Sequence, residues 1–440
     1  MTALLGKLTA NETGPLRGVT TAPGDKSISH RGLIFGALAE GVSEISGLLE
    51  GEDVLRTAAA MRAVGADIER QGGRWIVRGG RWVTPERAIY FGNSGTGARL
   101  VIGAAAGAGI GATFDGDQSL RSRPMGRVLE PLRLMGVEAS ANDGSLPVEI
   151  QAGRELLAIN CKLSTPSAQV KSAILLAGLG AKGTTRVHEP VLCRDHTERM
   201  LSAFGVQLEI AADGEDGRFI SLEGGQRLKP SNVMVPGDPS SAAFIAVAAV
   251  ITPGSDITIK NVLINPLRAG VYETLREMGA DITFDNKREE CGEPIADIHV
   301  RHSVLRGVDV PAVRAPSMID EYPILAIAAS MAIGETKMLG IEELRVKESD
   351  RIAAVEAGLV ACGVDVESGE DWLRVRGQGK APPGSAVIKT QHDHRIAMSF
   401  LILGGVAQKP VEIDDASMIA TSYPGFVETM SALGGKITGD

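Results

Sequence analysis

The sequence predicts an α/β (α+β) fold of two domains, each assembled from three copies of one unit with buried helices. Three observations predict it. The chain has 440 residues, and at about 150 residues per domain that is two or three domains. A phrase in which an apolar helical pattern ends in Gly and a strand pattern follows recurs along the whole chain. Upstream of each copy lies a small or polar opening and an Ala-rich apolar run.

The recurring phrase reads MRAVGADIE around Gly65, LRLMGVEAS around Gly136, LSAFGVQLEI around Gly205, LREMGADITF around Gly279, LVACGVDVES around Gly363 and MSALGGKITG around Gly434, at spacings of 71, 69, 74, 84 and 71 residues. Glycine after a helix accepts the left-handed conformation that closes it, and alternating residues beyond suit a strand. Each phrase is therefore a helix-to-strand turn, and the near-constant spacing marks a repeat.

The upstream openings are GDKSISHRGLIFGALA, GNSGTGARLVIGAAAG, TPSAQVKSAILLAGL, GDPSSAAFIAVAAV, PSMIDEYPILAIAAS and HDHRIAMSFLILGGV. Ser, Thr, Asp and Asn are good N-caps, and runs that are apolar on nearly every face belong to helices inside a domain. A further strand-like segment, such as SDITIKNVLI, lies between the two elements. Each unit thus reads strand, helix, strand, helix, strand, and three can close one globular domain. The matching stretches VTTAPGDKS and MVPGDPSS place two crossings near residues 21 and 236. One domain is then 21–236, and the other combines 1–20 with 237–440.

Composition narrows the partners. An aromatic fraction of 4% and a net charge of −9 provide neither stacking platforms for bases nor a broad basic face, so no nucleic acid is expected. The longest uncharged run, Pro239 to Ser255, is too short for a bilayer, and no signal-peptide pattern opens the chain. Cys161, Cys193, Cys291 and Cys362 show neither a disulfide framework nor zinc-ligand spacing, which fits a reducing cytoplasm.

Capped helix N-termini expose backbone N–H groups and about half a positive charge each, so several facing one site would trap anions. Cations recur beside the openings: Lys26, Arg31, Arg99, Lys171 and Arg395. RVKESDRIAAVEAGLVACG sets Lys347 and Arg351 one helical turn apart, with Arg345 and Glu348 beside them. Either these are intrahelical pairs, Glu348 with Arg351 and Asp350 with Lys347, or they serve a phosphorylated substrate and a proton donor. Arg121, Arg123 and Arg127 are an anion clamp or a solvated turn. Asp320 and Glu321 open an apolar helix, where a carboxylate ordinarily caps. His392, Asp393 and His394 have no second ligand cluster, so hydrogen bonding beside Arg395 is expected and no metal. GNSGTGARL lacks the Lys of a P-loop, and its glycines would let backbone approach a small ligand.

In their order, PGDKSISHR, GNSGT, RPMGR, SAQVKS, RDHTE, IDEYP, RVKESDR and DHRIAMSF resemble the 5-enolpyruvylshikimate-3-phosphate synthases, from about residue 15 to about residue 430. GDKS, SAQVK and RDHTE look like the bacterial subgroup known for members that tolerate glyphosate. The resemblance implies an enolpyruvyl transferase-like fold, two domains of three βαβαββ units with the active site in the cleft between them. It also implies transfer of the enolpyruvyl group of phosphoenolpyruvate to the 5-hydroxyl of shikimate 3-phosphate, releasing phosphate; no cofactor is expected, and the chain is expected to be a monomer in the cytoplasm. By the same resemblance Lys26, Ser27, Arg31, Ser167, Ala168, Gln169, Arg194, Asp320 and Lys347 hold shikimate 3-phosphate. Lys26, Asn93, Gly95, Arg123, Gln169, Arg351 and Arg395 surround phosphoenolpyruvate, and Asp320, Glu348 and Lys26 are catalytic. The chain departs from the subgroup's Asn-x-Thr-Arg at Asn265, Pro266, Leu267 and Arg268. Thr421 stands where many members carry Lys, and Gly95 where a tolerant member has Ala. The alternatives are the sister transferase acting on UDP-N-acetylglucosamine, which typically has a Cys in the loop matched here by GDQSLRSRP, and a non-catalytic six-unit scaffold.

Overall fold

The computed structural model describes residues 6–153, 155–214 and 217–439. The chain forms two compact units: one holds Gly24–Val235 with Glu289–Glu293, the other the residues up to Pro23, Pro236–Arg288 and those from Pro294 onward. The repeat arithmetic assigns the whole of 237–440 together. Residues 289–293 depart from it because they form the tip of a long hairpin, Asp281–Glu290 and Glu293–Arg301.

Among the described residues each unit contains three four-stranded sheets of one design. An outer strand runs parallel to its neighbour, and two antiparallel strands follow. In the first unit the sheet Val233–Met234, Gly41–Ser46, Arg74–Gly79, Asp67–Gln71 has this order, as does Ile89–Tyr90, Ala112–Asp115, Ser145–Ile150, Ala139–Asn142. A parallel pair requires a crossover, which the buried helix Gly95–Gly107 supplies between Ile89–Tyr90 and Ala112–Asp115, whereas the last antiparallel pair of each of these two sheets closes by a short hairpin. That hairpin adds one strand to the unit read from the residues. The N-terminal strands belong with the second unit: Arg17–Thr21 pairs parallel with Asp256–Leu263, and Leu8–Asn11 lies between Lys409–Ile413 and Lys436–Gly439.

The Ala-rich runs form Lys26–Leu38, Gly95–Gly107, Ala168–Gly178, Pro239–Ile251, Tyr322–Met331 and His394–Gly404. Pro239–Ile251 is buried at every residue. Asp238 caps it, Oδ1 accepting from Ser240 N at 2.7 Å and Ser241 N at 3.1 Å. Small residues let these helices touch backbone to backbone; a Cβ on Gly103 would overlap Ala173, and one on Gly107 the carbonyl of Leu176. The six turn glycines have φ between 79° and 108°, the left-handed region in which a side chain is strained.

No helix among the described residues is long and apolar enough to cross a membrane. All four cysteines are free thiols.

Candidate active site

In the Gly24–Val235 unit the anion-binding candidates lie at helix starts. Asp25 caps the first helix by accepting from Ile28 N at 2.8 Å, which sets Lys26, Ser27 and Arg31 on its opening turns. Lys26 Nζ lies 3.1 Å from Asp53 and keeps a quarter of its side chain exposed. Ser94 caps the helix that begins at Gly95, and Arg123 donates to Asn93 Oδ1 at 2.6 Å. Ser167 caps the helix beginning at Ala168. Its next residue, Gln169, accepts from Arg99 at 2.9 Å and donates to Thr96 at 2.9 Å. Arg194 is half-buried just ahead of the helix His196–Ala203.

The structure separates the three arginines of the SLRSRPMGR loop. Arg121 is exposed and paired with Asp115, Arg127 is exposed, and Arg123 alone joins Asn93. Lys171 also differs from its expected place among the cations at the helix openings. It is buried, 2.8 Å from Glu189 and 2.7 Å from Glu198, so it balances carboxylates inside the unit. Burial opposes its charge, but Glu198, Cys193 and Glu189 outweigh this and raise its pKa.

In the other unit Arg351 is the hub. Its Nε lies 2.8 Å from Asp393, one terminal nitrogen 3.2 Å from Asp320 and the other 2.6 Å from Glu348. Burial works against this charge, yet Asp393, Glu348 and Asp320 together hold the guanidinium above its ordinary pKa. Asp320 and Glu348 keep part of their side chains exposed, whereas Asp393 has none. Arg395 donates to the backbone carbonyl of Asp320 at 3.1 Å and lies 3.6 Å from Glu321.

Two local expectations change here. The helix starts at Arg351, capped by Asp350, so Lys347 stands ahead of it and pairs with Glu343 at 3.1 Å, while Asp350 pairs with Arg345. The Glu348–Arg351 pair of the intrahelical reading does form. Glu321 occupies the N-cap position of Tyr322–Met331 without a side-chain capping bond. Asp393 accepts from Arg395 N at 2.9 Å, whereas His392 is exposed beside Asp415.

Leu267 N donates to Asn265 Oδ1 at 3.0 Å, and Arg268 is buried against Ser240 and Asp238. Thr421 donates to the carbonyl of Met418 at 2.6 Å. Sequence reasoning did not single out Asp53, which pairs with Lys26, nor Ser172 and Thr197, which touch Arg31. Nothing in their spacing signals these tertiary contacts.

Asp195, His196 and Glu293 bring potential metal ligands within 4.8 Å of one another. Arg199 Nε lies 2.9 Å from Asp195 and 3.9 Å from Glu293, and Arg218 lies 3.7 Å from Asp195. Two guanidiniums already neutralise these carboxylates, so the group reads as an ion-pair network.

The chain matches the profile of the family EPSP synthase (3-phosphoshikimate 1-carboxyvinyltransferase) over residues 10–430. The 3-phosphoshikimate 1-carboxyvinyltransferase of Chelativorans sp. (strain BNC1) is 56% identical over 429 residues, 96% of this chain and 95% of that one. That of Phenylobacterium zucineum (strain HLK1) is 55% identical over 433 residues, 98% and 95% of the two chains. Among solved structures, an EPSP synthase from Acinetobacter baumannii superposes with a TM-score of 0.89 at 44% identity, covering 98% of this chain and 99% of that chain. With the likeness extending over nearly its full length in both sequence and fold, the chain belongs to the EPSP synthase family.

Proposed function

We propose that the residues assembled above carry out the reaction of this family in the following roles. The chain transfers the enolpyruvyl group of phosphoenolpyruvate to the 5-hydroxyl of shikimate 3-phosphate and releases phosphate, a step of aromatic amino-acid biosynthesis. Two phosphates and two carboxylates come together in this reaction, and a dense set of cations is needed to offset their repulsion. Lys26, Ser27, Arg31, Ser167, Ala168, Gln169, Arg194, Asp320 and Lys347 bind shikimate 3-phosphate. Lys26, Asn93, Gly95, Arg123 and Gln169, with Arg351 and Arg395, surround phosphoenolpyruvate.

The observation that carries the mechanism is the placement of Asp320 and Glu348 on the two terminal nitrogens of Arg351. Asp320 accepts the proton of the 5-hydroxyl as its oxygen bonds to C2 of phosphoenolpyruvate. Glu348, with Lys26, delivers a proton to the methylene carbon, giving a tetrahedral intermediate. Phosphate then leaves with the proton held on Asp320, and the new methyl group returns a proton to Glu348, restoring the double bond. Arg351 keeps the two carboxylates apart at fixed positions and offers its charge to phosphoenolpyruvate. The chain holds the whole residue set itself and acts as a monomer, and its four free thiols suit the cytoplasm.

The test is phosphate release with both substrates and with each omitted. Release that needs both supports the reading; release with UDP-N-acetylglucosamine in place of shikimate 3-phosphate, or none at all, overturns it.

A further inference from the structure

Arg31 is buried, and among the described residues none of its direct partners is a carboxylate. Its Nε donates to Thr197 Oγ1 at 2.8 Å, one terminal nitrogen to Ser172 Oγ at 2.8 Å and the other to the carbonyl of Ser27 at 3.0 Å. The two hydroxyls are 2.6 Å apart. Ser172 spends its own proton on the carbonyl of Ala168 at 2.6 Å, so Thr197 is the donor in the bond they share. Both oxygens are thereby turned to accept from Arg31. A guanidinium has five N–H groups; three are used, leaving one on each terminal nitrogen.

The contrast with the other buried cations is chemical. Lys171 is held by two carboxylates in direct contact, which spends its charge inside the protein, and Arg351 divides its charge between three carboxylates and the phosphoenolpyruvate proposed above. Hydroxyls fix direction without supplying a counter-charge. Burial accordingly pushes Arg31 down to about 10, with the more distant Glu198, Asp25 and Glu293 only partly offsetting it. An anionic ligand that meets Arg31 finds its charge unspent.

We propose that Thr197 and Ser172 are positioning residues for shikimate 3-phosphate, holding Arg31 in place through hydroxyls so that its full charge is kept for that substrate. This rests on the reading of Arg31 as a ligand of shikimate 3-phosphate. Ala168, which anchors Ser172, belongs to the same proposed substrate set, so the clamp ties two of its segments together.

The experiment is steady-state kinetics on the full chain with Thr197→Val, Thr197→Ser and Arg31→Lys, varying each substrate separately. Valine keeps the shape of threonine and removes the acceptor, so the Michaelis constant for shikimate 3-phosphate should rise roughly ten- to a hundredfold. That for phosphoenolpyruvate should change far less, and serine should restore the first. An unchanged constant in Thr197→Val, while Arg31→Lys raises it, overturns the clamp and leaves the role of Arg31 standing. Parallel weakening of both substrates without rescue by serine shows a merely structural role and also overturns it. If Arg31→Lys itself leaves shikimate 3-phosphate unaffected, the clamp and the underlying reading fall together. Should Thr197→Val not fold, Ser172→Ala removes the neighbouring acceptor and is judged by the same split between substrates.

Discussion

Asp393 receives the Nε–H of Arg351 at 2.8 Å, with both side chains shut away from solvent. Asp393 also accepts from Ser349 at 3.1 Å and from the backbone of Arg395, so it is fixed from two sides before Arg351 leans on it. Removing Asp393 takes from Arg351 its one fully buried counter-charge and leaves it the partly exposed Asp320 and Glu348, and breaking a buried ion pair costs up to about 3–5 kcal/mol. Asp393→Ala should therefore lower stability by that order in urea unfolding, and lower turnover as well by loosening Arg351 and with it Asp320 and Glu348. A variant with an unchanged midpoint would remove Asp393 from this role.

Lys171 should behave as a structural cation. Its partners Glu189 and Glu198 are as buried as it is, and Lys171→Met leaves their two negative charges against the guanidinium of Arg218. The expected outcome is a loss of about 3–5 kcal/mol in unfolding free energy, with Michaelis constants near those of the unsubstituted chain. Normal stability combined with a raised constant for phosphoenolpyruvate would instead make Lys171 a substrate ligand.

His30 predicts an acid dependence of stability. It is fully buried with Nδ1 2.8 Å from Thr57 Oγ1, and burial lowers its pKa from 6.5 to about 3. Between those values the unfolded chain binds the proton and the folded chain does not. The contribution of His30 is thus complete above about pH 6.5 and is lost as the pH falls toward 3. His30→Gln should flatten the decline in stability between about pH 7 and about pH 4. An equally steep decline in the variant would assign the acid sensitivity to carboxylates such as Asp393, whose pKa is lowered.

Gly95 predicts a discrimination between ligands. A Cβ there would lie 2.8 Å from a terminal nitrogen of Arg99, 3.3 Å from one of Arg123 and 3.5 Å from Leu120. The added methyl narrows the space beside the cations proposed for phosphoenolpyruvate, so a longer ligand in the same place, such as glyphosate, should lose more affinity there. Gly95→Ala should raise the glyphosate inhibition constant more than the Michaelis constant for phosphoenolpyruvate, by a difference of about 1–3 kcal/mol. Equal weakening of both would show that this position does not discriminate.

What could be read in the sequence is what is local. The glycines at 65, 136, 205, 279, 363 and 434 all take positive φ, because closing a helix and entering a strand is decided within a few residues. The Ala-rich runs are buried helices because a segment apolar on every face has nowhere else to go. Charge pairing was not legible in the same way. Lys171 meets Glu189 and Glu198, and Arg351 meets Asp320 and Asp393, across 18 to 42 positions, a choice that only the packed fold makes. Glu289–Glu293 likewise reads as part of its own repeat, because hairpin length is visible in sequence and the contacts of its tip are not.

The central claim is that Asp320 and Glu348, set on one guanidinium, move the protons of the transfer reaction. Turnover of Asp320→Asn and Glu348→Gln tests it most directly, since each substitution preserves shape and removes a proton-transfer group. The account predicts folded proteins whose turnover falls by roughly 10²–10⁴-fold; near-normal turnover in either variant would contradict it.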